Sequence, residues 1–430
     1  MRQRLLVLTA VLLLAHGTAL AEEACEARAQ HVAKQLQTLR EKLRISAMGL
    51  SIFCAGQPLI IAGYGNATAD TPFRWGSITK SITGLAALEL VRSTDLTLDS
   101  PVRPVLGEGY FQNPWADQHP VRLGQLLALS AGLPDLTSAE WNDNEPRPLW
   151  QALARHQDER ISHWPPGLQH SYSNVPPGLT AATIERESGL AFQTYLEQRL
   201  FQPLGMNDAT LSPVPGLPGG FKADGETEIP YWHMTFQAFG ALNASPREWS
   251  RLLTTLLNDG RLDGEQVLPA DLVDLFFRPG ATLGTEAGLQ VGYGAGVYGW
   301  VRGGHLFHGH GGDADGYRSR YGLLLEAGRG YLLVINLDNP RALNTLRRLI
   351  EDALIDDLPA PPSPPSTTVA EVELDAFAGS YYRSSARFNR SGWQTGAEPK
   401  VSVRRSGGLL VFERGGQETR LHPAGAGRFY

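Results

Sequence analysis

The chain has 430 residues, of which 42% are hydrophobic and 19% are charged, and its formal net charge is −6. This length suggests two or three domains with sizeable cores, and the composition excludes wholesale disorder. The acidic balance argues against nucleic acid as a partner, because nucleic-acid-binding proteins normally present a basic face. Only five of the 38 basic residues are lysines, so the position of each lysine is informative.

The first 21 residues have the layout of a secretory signal peptide. Arg2 and Arg4 precede an apolar run over 5–15, and a small-x-small site ends at Ala21. A membrane anchor is the alternative, but the apolar run is shorter than the roughly 18 residues that a spanning helix needs. We therefore expect removal of 1–21, a periplasmic or secreted location, and no membrane span in the mature protein.

Cys25 and Cys54 are the two cysteines of the chain. An oxidising compartment favours a disulfide between them. Such a bridge would close a loop of about 30 residues and add roughly 3–4 kcal/mol of stability in the loop-entropy description. Two unpaired thiols are the alternative.

Hydrophobic periodicity predicts strands in two separate parts of the chain, with helices before, between and after them. The predicted strands cover 46–54, 57–64, 321–325 and 331–337. The predicted helices cover 26–44, 77–92 and 340–357, and the region 100–275 is predicted to be mainly helical with long proline-bearing loops. The helix over 77–92 is apolar on most of its circumference, which is typical of a buried helix.

A proline-rich stretch marks the clearest boundary in the chain. Residues 359–368 are predicted to form a semi-rigid linker. The linker separates a main domain over 22–358 from a small β module over 369–430, in which Ser406-Gly407-Gly408 predicts a hairpin turn. The strand-like pattern continues to the last residue, so a truncated module is one expectation.

Ser77-Ile78-Thr79-Lys80 carries the strongest chemical signal. A serine at the start of a buried helix has its hydroxyl near the positive end of the helix dipole. Lys80 lies one turn further along the same face, and a lysine in such a site shifts its pKa readily and can take part in proton transfer from the serine. The alternative is a capping serine beside a solvated lysine, but the scarcity of lysine and the apolar helix argue against it.

Tyr172-Ser173-Asn174 is a second candidate segment, and it follows a proline-glycine loop at 165–167. The phenol of Tyr172 can serve as a general base or proton shuttle, and the amide of Asn174 can donate a hydrogen bond to a substrate carbonyl. Taken alone, this pattern is more typical of a surface loop.

His310-Gly311-Gly312-Asp313 is the third candidate segment. Its glycines would let a substrate backbone lie close to a strand edge and would present an N–H group to a developing oxyanion. His308 is expected to be an ordinary strand residue. Asp313 and Asp315 are weaker candidates for binding a substrate amine.

Together, in this order, the three segments resemble the motifs of the serine β-lactamase and penicillin-binding protein family, which has Ser-x-x-Lys, Tyr-x-Asn or Ser-x-Asn, and Lys-Thr-Gly or His-x-Gly. The branch that matches contains class C β-lactamases, DD-carboxypeptidases, D-aminopeptidases and related esterases. Residues 126–133 and 201–206 also look like conserved stretches of this family, and the resemblance covers about 45–357. It implies an α/β (α+β) fold, with an antiparallel sheet flanked by helices and a helical subdomain, followed by a small C-terminal β module.

The resemblance also implies roles for individual residues. Ser77 would be the nucleophile, and Lys80 and Tyr172 would share the proton transfers. The backbone N–H groups of Ser77 and Asp313 would form the oxyanion hole, and His310 occupies the position where many members have a lysine. The implied substrate-binding residues are Asn174, His310, Gly312 and Asp313.

The sequence therefore predicts an exported serine hydrolase that cleaves an amide or ester bond through a Ser77 acyl-enzyme. Its small-molecule or peptide substrate would be that of a D-amino-acid or DD-peptidase, or of an esterase. His-Gly-Gly in place of Lys-Thr-Gly argues against a β-lactamase proper, which is one alternative. A non-catalytic homologue that binds peptidoglycan or a peptide is another.

No cofactor or metal is predicted from the sequence. It contains no His-Glu-x-x-His, no Cys-x-x-Cys and no Gly-Lys-Ser/Thr phosphate loop. The glycine run over 294–299 matches a dinucleotide-binding pattern by letter, but the residues that follow do not predict a helix.

Overall fold

The fold is described from a computed structural model. It covers residues 23–141, 143–280, 282–286, 291–362, 367–381, 387, 401–425 and 428–429. The predicted signal peptide lies outside the described residues, as do parts of the predicted linker and of the C-terminal module.

A central antiparallel sheet organises the main body of the chain. Within the described residues it has six strands: β1 (Ala47–Cys54), β2 (Gln57–Gly65), β3 (Tyr298–Arg302), β4 (His305–Ala314), β5 (Tyr317–Leu324) and β6 (Arg329–Ile335). Their spatial order is β2-β1-β6-β5-β4-β3, and every neighbouring pair is antiparallel. The pairing of β1 with β6 joins two parts of the sequence that are far apart, which confirms the predicted strands and sheet type.

The longer helices within the described part of the chain pack around this sheet. They are α1 (23–42), α2 (Thr79–Ser93), α3 (Val175–Ser188), α4 (Pro246–Leu257) and α5 (Pro340–Ile355). Shorter helical segments are Arg103–Leu106, Leu123–Leu127, Ser138–Trp141, Leu149–Ala154, Phe192–Leu196, Glu197–Phe201, Gln202–Leu204, Ala270–Phe277 and Leu283–Glu286. The 3-10 turns are Gly76–Ile78, Gln157–Glu159, Gln237–Phe239 and Leu325–Ala327.

Short strands accompany the helices outside the central sheet. They are Phe73–Arg74, Gly220–Lys222, Glu228–Ile229, Asn243–Ala244, Arg261–Leu262, Glu265–Gln266 and Leu337–Asp338. Among the described residues between β2 and β3, the regular structure is thus mostly helical and is separated by long loops, as predicted.

The alternating side chains of the central strands fill two cores, one on each face of the sheet. Leu332 and Val334 of β6 belong to the larger core, which includes residues of α2, α3 and α4. Leu333 and Ile335 belong to the other core, which includes residues of α1 and α5. The sheet therefore lies between the two outer helices and the helical region.

α2 runs through the interior of the larger core and packs against α3. Every residue from Thr79 to Leu88 is buried, which confirms the predicted buried helix. Ser77 lies just before this helix, on the 3-10 turn Gly76–Ile78. A buried helix with a turn of this kind at its start gives the serine and the first helical residues fixed positions.

The predicted disulfide is present: Cys25 and Cys54 are bonded, with Cα atoms 6.2 Å apart. The bond joins α1 to the end of β1. It thereby holds α1 against the face of the central sheet that carries Leu333 and Ile335.

The C-terminal region forms a second antiparallel sheet. Within the described residues its strands are β7 (Gly379–Tyr381), β8 (Val401–Ser406), β9 (Leu409–Arg414) and β10 (Gln417–Leu421), in that spatial order. Glu371–Asp375 is a short helix before it, and Pro423–Gly425 pairs with Arg428–Phe429 after it. The hairpin predicted at Ser406-Gly407-Gly408 joins β8 to β9. None of the described helices is both long and apolar enough to cross a membrane.

Candidate active site

The candidate nucleophile lies where the turn Gly76–Ile78 meets β4. The backbone of Gly312 approaches Trp75 so closely that a Cβ atom at residue 312 would lie 1.9 Å from the Trp75 carbonyl oxygen. Only glycine fits such an approach without a shift of the backbone. The next peptide, that of Asp313, packs against the same turn and therefore lies beside Ser77.

Lys80 is a buried residue of the site, with 2% of its surface exposed. Its Nζ lies 2.6 Å from Asn174 Oδ1, 3.0 Å from the Phe239 carbonyl oxygen and 3.2 Å from Ser77 Oγ. Burial is the main cause that lowers the pKa of Lys80 well below its usual value, whereas the carboxylate of Asp135 acts in the opposite direction. This arrangement favours the uncharged amine.

Three oxygen atoms lie within hydrogen-bonding distance of Lys80 Nζ. The Asn174 and Phe239 oxygens are carbonyl oxygens and can only accept. When the amine is neutral, these two oxygens accept its two N–H groups, and its lone pair is left for the hydroxyl of Ser77 at 3.2 Å. Lys80 is therefore placed to accept the proton of Ser77.

Tyr172 contacts both members of this pair. Its hydroxyl forms a hydrogen bond with the Ser77 side chain, and Lys80 Nζ lies 4.9 Å from its ring centroid. Burial raises the pKa of Tyr172, and the hydrogen bond with Ser77 offsets only part of this effect. The phenol is thus protonated at neutral pH and is suited to passing a proton on.

The Tyr172–Asn174 loop is held by a neighbouring loop around Asp135. The Asn174 backbone N–H donates to Asp135 Oδ1 at 2.8 Å, and Ser173 Oγ donates to the Pro134 carbonyl oxygen, also at 2.8 Å. Asn174 and Ser173 are both buried, and α3 begins directly after them. These bonds fix the amide of Asn174 beside Lys80.

His310 is buried and uncharged. Its Nδ1 lies 2.6 Å from the Gly311 carbonyl oxygen, which can only accept, so Nδ1 carries the proton. Its Nε2 therefore accepts from the Tyr293 hydroxyl at 2.8 Å. Burial, followed by the proximity of Lys80, lowers the pKa of His310 to about 3. The position at which many relatives have a lysine thus has no positive charge here.

The remaining predicted residues lie on or near β4. The carboxylate of Asp313 is exposed and forms an ion pair with Arg318. Asp315 is exposed in the turn that follows β4. His308 is a strand residue whose ring packs edge-on against Phe277, with centroids 5.3 Å apart. None of these three side chains contacts the Ser77–Lys80 pair through a bond that the structure describes.

The structure adds residues that the sequence did not indicate. Tyr293 orients His310, Asp135 supports Asn174, and Arg387 forms an ion pair with Asp135. Tyr293 directly precedes the glycine run over 294–299 that matched a dinucleotide-binding pattern. That run leads into β3 rather than into a helix, and a Cβ atom on its Gly296 would lie 2.0 Å from the Lys80 carbonyl oxygen.

These groups open into a cleft of about 1100 Å³. Polar residues from several elements line it together with an aromatic group made of Trp141, Tyr172, Phe239, Tyr293 and Tyr298. Among the described residues, no cluster of histidine, cysteine and carboxylate side chains is placed to hold a metal ion. A serine, a buried lysine and a tyrosine at a strand edge define a serine acyl-transfer site.

A comparison with protein families gives the same class. The family described as Beta-lactamase matches residues 32–355, and the chain belongs to this family, whose members are serine hydrolases. A protein named Beta-lactamase from Yersinia enterocolitica is 30% identical over 193 residues, which cover 42% of this chain and 46% of that protein. Penicillin-binding protein 4 of Amycolatopsis lactamdurans is 25% identical over 386 residues, which cover 82% and 97%.

The Escherichia coli K12 Beta-lactamase is 26% identical over a region that covers 48% of its length. The chain therefore spans about half the length of the two beta-lactamases that it matches. Among solved structures, the octameric penicillin-binding protein homologue from Pyrococcus abyssi has a TM-score of 0.62, with 21% identity over 92% of this chain and 90% of the other. SurE with D-Leu has a TM-score of 0.59, with 23% identity over 92% and 89%. These two similarities concern the fold.

Proposed function

We propose that the protein is a serine hydrolase that cleaves an amide or ester bond through an acyl-enzyme on Ser77. The observation that carries this proposal is the environment of Lys80. Its amine is buried. Lys80 Nζ lies within hydrogen-bonding distance of two carbonyl oxygens and 3.2 Å from Ser77 Oγ. A capping serine with a solvated lysine would have none of these features.

In the first half-reaction, Ser77 Oγ attacks the substrate carbonyl carbon while its proton passes to Lys80 Nζ. The oxyanion that forms is stabilised by the backbone N–H groups of Ser77 and Asp313; one such donor is typically worth about 2.7–4 kcal/mol. The proton then reaches the leaving nitrogen or oxygen through Tyr172, and the bond to the leaving group breaks. The amine or alcohol leaves, and the acyl group remains on Ser77.

In the second half-reaction, water attacks the acyl carbon and the same groups return the proton to Ser77 Oγ. The carboxylic acid leaves, and the site is restored. Asn174 would orient the substrate amide, and its own position is fixed by Lys80 and Asp135. Gly312 would let the substrate backbone lie against β4.

The substrate class follows from the charge of the site. The uncharged His310 supplies no cation where Lys-Thr-Gly relatives have one. A substrate carboxylate next to the scissile bond is therefore stabilised less at this position. This favours a peptidase or esterase over a β-lactamase proper. Within that class we propose D-amino-acid amides and short esters, which lack such a carboxylate, as the preferred substrates, with DD-peptides as the carboxylate-bearing compounds to test against them.

We also propose that the protein is exported to the periplasm or beyond the cell. The Cys25–Cys54 disulfide supports this location, because disulfides persist in oxidising compartments. The pattern of residues 1–21 supports it independently.

Labelling with a fluorophosphonate and with a fluorescent penicillin tests the proposal, with Ser77→Ala as the inactive variant. We expect the fluorophosphonate to label the wild type and not Ser77→Ala. A panel of D-amino-acid amides, D-Ala-D-Ala peptides, short esters and a chromogenic cephalosporin then ranks the substrates. Wild-type protein that neither labels at Ser77 nor turns over any of these compounds would support the non-catalytic binding homologue instead.

A further inference from the structure

Arg387 contacts the candidate active site although it follows the proline-rich stretch in sequence. Its guanidinium forms an ion pair with Asp135, and its Cζ lies 5.3 Å from the ring centroid of Tyr172. It is also one of the residues that line the cleft around Ser77. A residue 252 positions away from Asp135 thus belongs to the immediate surroundings of the site.

Asp135 is a buried carboxylate that depends on this partner. Its side chain is 5% exposed. Oδ1 accepts hydrogen bonds from the backbone N–H groups of Leu136 and Asn174, both at 2.8 Å, and Oδ2 contacts Arg387. A buried carboxylate without a countercharge is strongly unfavourable. Arg387 therefore stabilises the carboxylate that holds the Asn174 backbone.

The second contact of Arg387 is with the face of Tyr172. A guanidinium within about 6 Å of an aromatic centroid is attracted to the ring. Arg387 thus contacts the two loops that carry Asp135 and Tyr172, while half of its side chain remains exposed. Through Asp135 and Asn174 the contact continues to Lys80, because Asn174 Oδ1 accepts from Lys80 Nζ.

We propose that Arg387 is a positioning residue of the Ser77 site, which balances the charge of Asp135 and holds the Tyr172–Asn174 loop against Lys80. The proposal rests on the proposed function, because the positioned groups are those of the acyl-transfer reaction. Arg387 acts through Asp135 and Tyr172 and is not itself one of the reacting groups.

The charges near Lys80 give this role a measurable consequence. Burial is the largest influence on the pKa of Lys80 and lowers it; next, the carboxylate of Asp135 raises it and the guanidinium of Arg387 lowers it. Loss of Arg387 would leave the effect of Asp135 unopposed and raise the pKa of the base. The groups that face Lys80 are Ser77, Asp135, Tyr172, Asn174, the Phe239 carbonyl, His310, Asp313 and Arg387.

The test is the pH profile of acylation by an uncharged fluorophosphonate ester, so that Arg387 has no charge on the probe to bind. We expect Arg387→Gln to move the acidic limb of the profile to higher pH by about 0.5–1 unit, the direction that an unopposed carboxylate produces. Arg387→Lys keeps the charge and should restore most of the wild-type profile. The matched control is Arg404→Gln, because Arg404 is a half-exposed arginine of the C-terminal sheet that pairs with Glu418.

The double variant Asp135→Asn/Arg387→Gln separates charge balance from folding. Asparagine retains an oxygen for the Asn174 N–H, so removal of both charges should return the limb towards that of the wild type. A limb in Arg387→Gln that coincides with the wild type would overturn the inference. An acidic limb that is shifted as far in the double variant as in Arg387→Gln would also overturn it.

The pH dependence of the free energy of unfolding reports the same lysine without any labelling. In the wild type, the free energy of unfolding rises with pH between the lowered pKa of Lys80 in the folded protein and its usual pKa in the unfolded chain. Arg387→Gln should raise the folded-state pKa and thereby narrow this pH range from its lower end. An unchanged range would contradict the inference, whether or not the protein labels. If the wild type never labels but Arg387→Gln still narrows this pH range, the result would count against the proposed function alone.

Discussion

Replacing Lys80 with methionine tests whether the buried amine is the base of the reaction. Methionine has a similar length and volume, so the packing around α2 should be retained. Its thioether cannot accept a proton from the Ser77 hydroxyl, whose Oγ lies 3.2 Å from Lys80 Nζ in the wild type. We expect acylation to slow by about 10²–10⁴-fold, which is the usual contribution of a positioned general base.

The stability of the same variant tests the charge of the amine. Because burial lowers the pKa of Lys80 in the folded protein, the unfolded chain binds one more proton between that lowered pKa and the usual value of 10.5. Wild-type stability should therefore rise with pH across this range, by up to about 1.4 kcal/mol per pH unit from this group. Below the lowered pKa both states are protonated, and the slope from this group vanishes.

Urea unfolding at several values from about pH 6 to pH 9 measures this slope. The difference in unfolding free energy between the wild type and Lys80→Met should change with pH, because the variant lacks the titrating group. Ser77→Ala is the control and should keep the wild-type slope. Parallel curves for the wild type and Lys80→Met would show that Lys80 titrates at its usual pKa, which would refute its assignment as the base.

Three further variants test other parts of the site and fold. Gly312→Ala places a methyl group against the Trp75 carbonyl, so it should lower the free energy of unfolding by about 1–3 kcal/mol and slow acylation together; wild-type values for both in urea unfolding and labelling would contradict the close approach. Tyr293→Phe leaves buried Nε2 of His310 without a donor and should cost about 1–3 kcal/mol in urea unfolding, whereas no loss would argue against this hydrogen bond. Cys54→Ser opens the disulfide and should cost about 3–4 kcal/mol with the acylation rate unchanged; a slower rate would link the disulfide to the site.

The sequence predicted the contacts that are local along the chain. Ser77 and Lys80 are three residues apart at the start of a buried helix, so helix geometry alone places them together. The strands over 46–54 and 57–64 and the hairpin turn at Ser406-Gly407-Gly408 were predicted for the same reason, since alternation and turn residues are local signals. The disulfide required only the two cysteines and an oxidising compartment.

Contacts between distant parts of the chain needed either the family resemblance or the structure. The prediction that Tyr172 and His310 lie beside Ser77 came from the resemblance, because nothing in their own segments indicates this proximity. The Phe239 carbonyl that accepts from Lys80 has no sequence signal at all, because every residue has a carbonyl. Asp135 and Arg387 were missed because a long-range ion pair depends on how the loops pack.

The letter pattern over 294–299 shows the opposite case, in which a motif is present without its function. A dinucleotide site needs a strand, a glycine turn and a helix, whereas here a strand follows the glycines. Gly296 has a positive φ of 76° and lies against the Lys80 backbone. Its role is close packing on α2, which places Tyr293 beside His310.

Mass spectrometry of the protein after brief exposure to a short activated ester tests the central proposal most directly. The account predicts a transient mass increase equal to the acyl group, mapped to the peptide that contains Ser77. The increase should be absent in Ser77→Ala and should form at least about 10²-fold more slowly in Lys80→Met. An acyl group on any other residue, or one that forms equally fast without Lys80, would contradict the account.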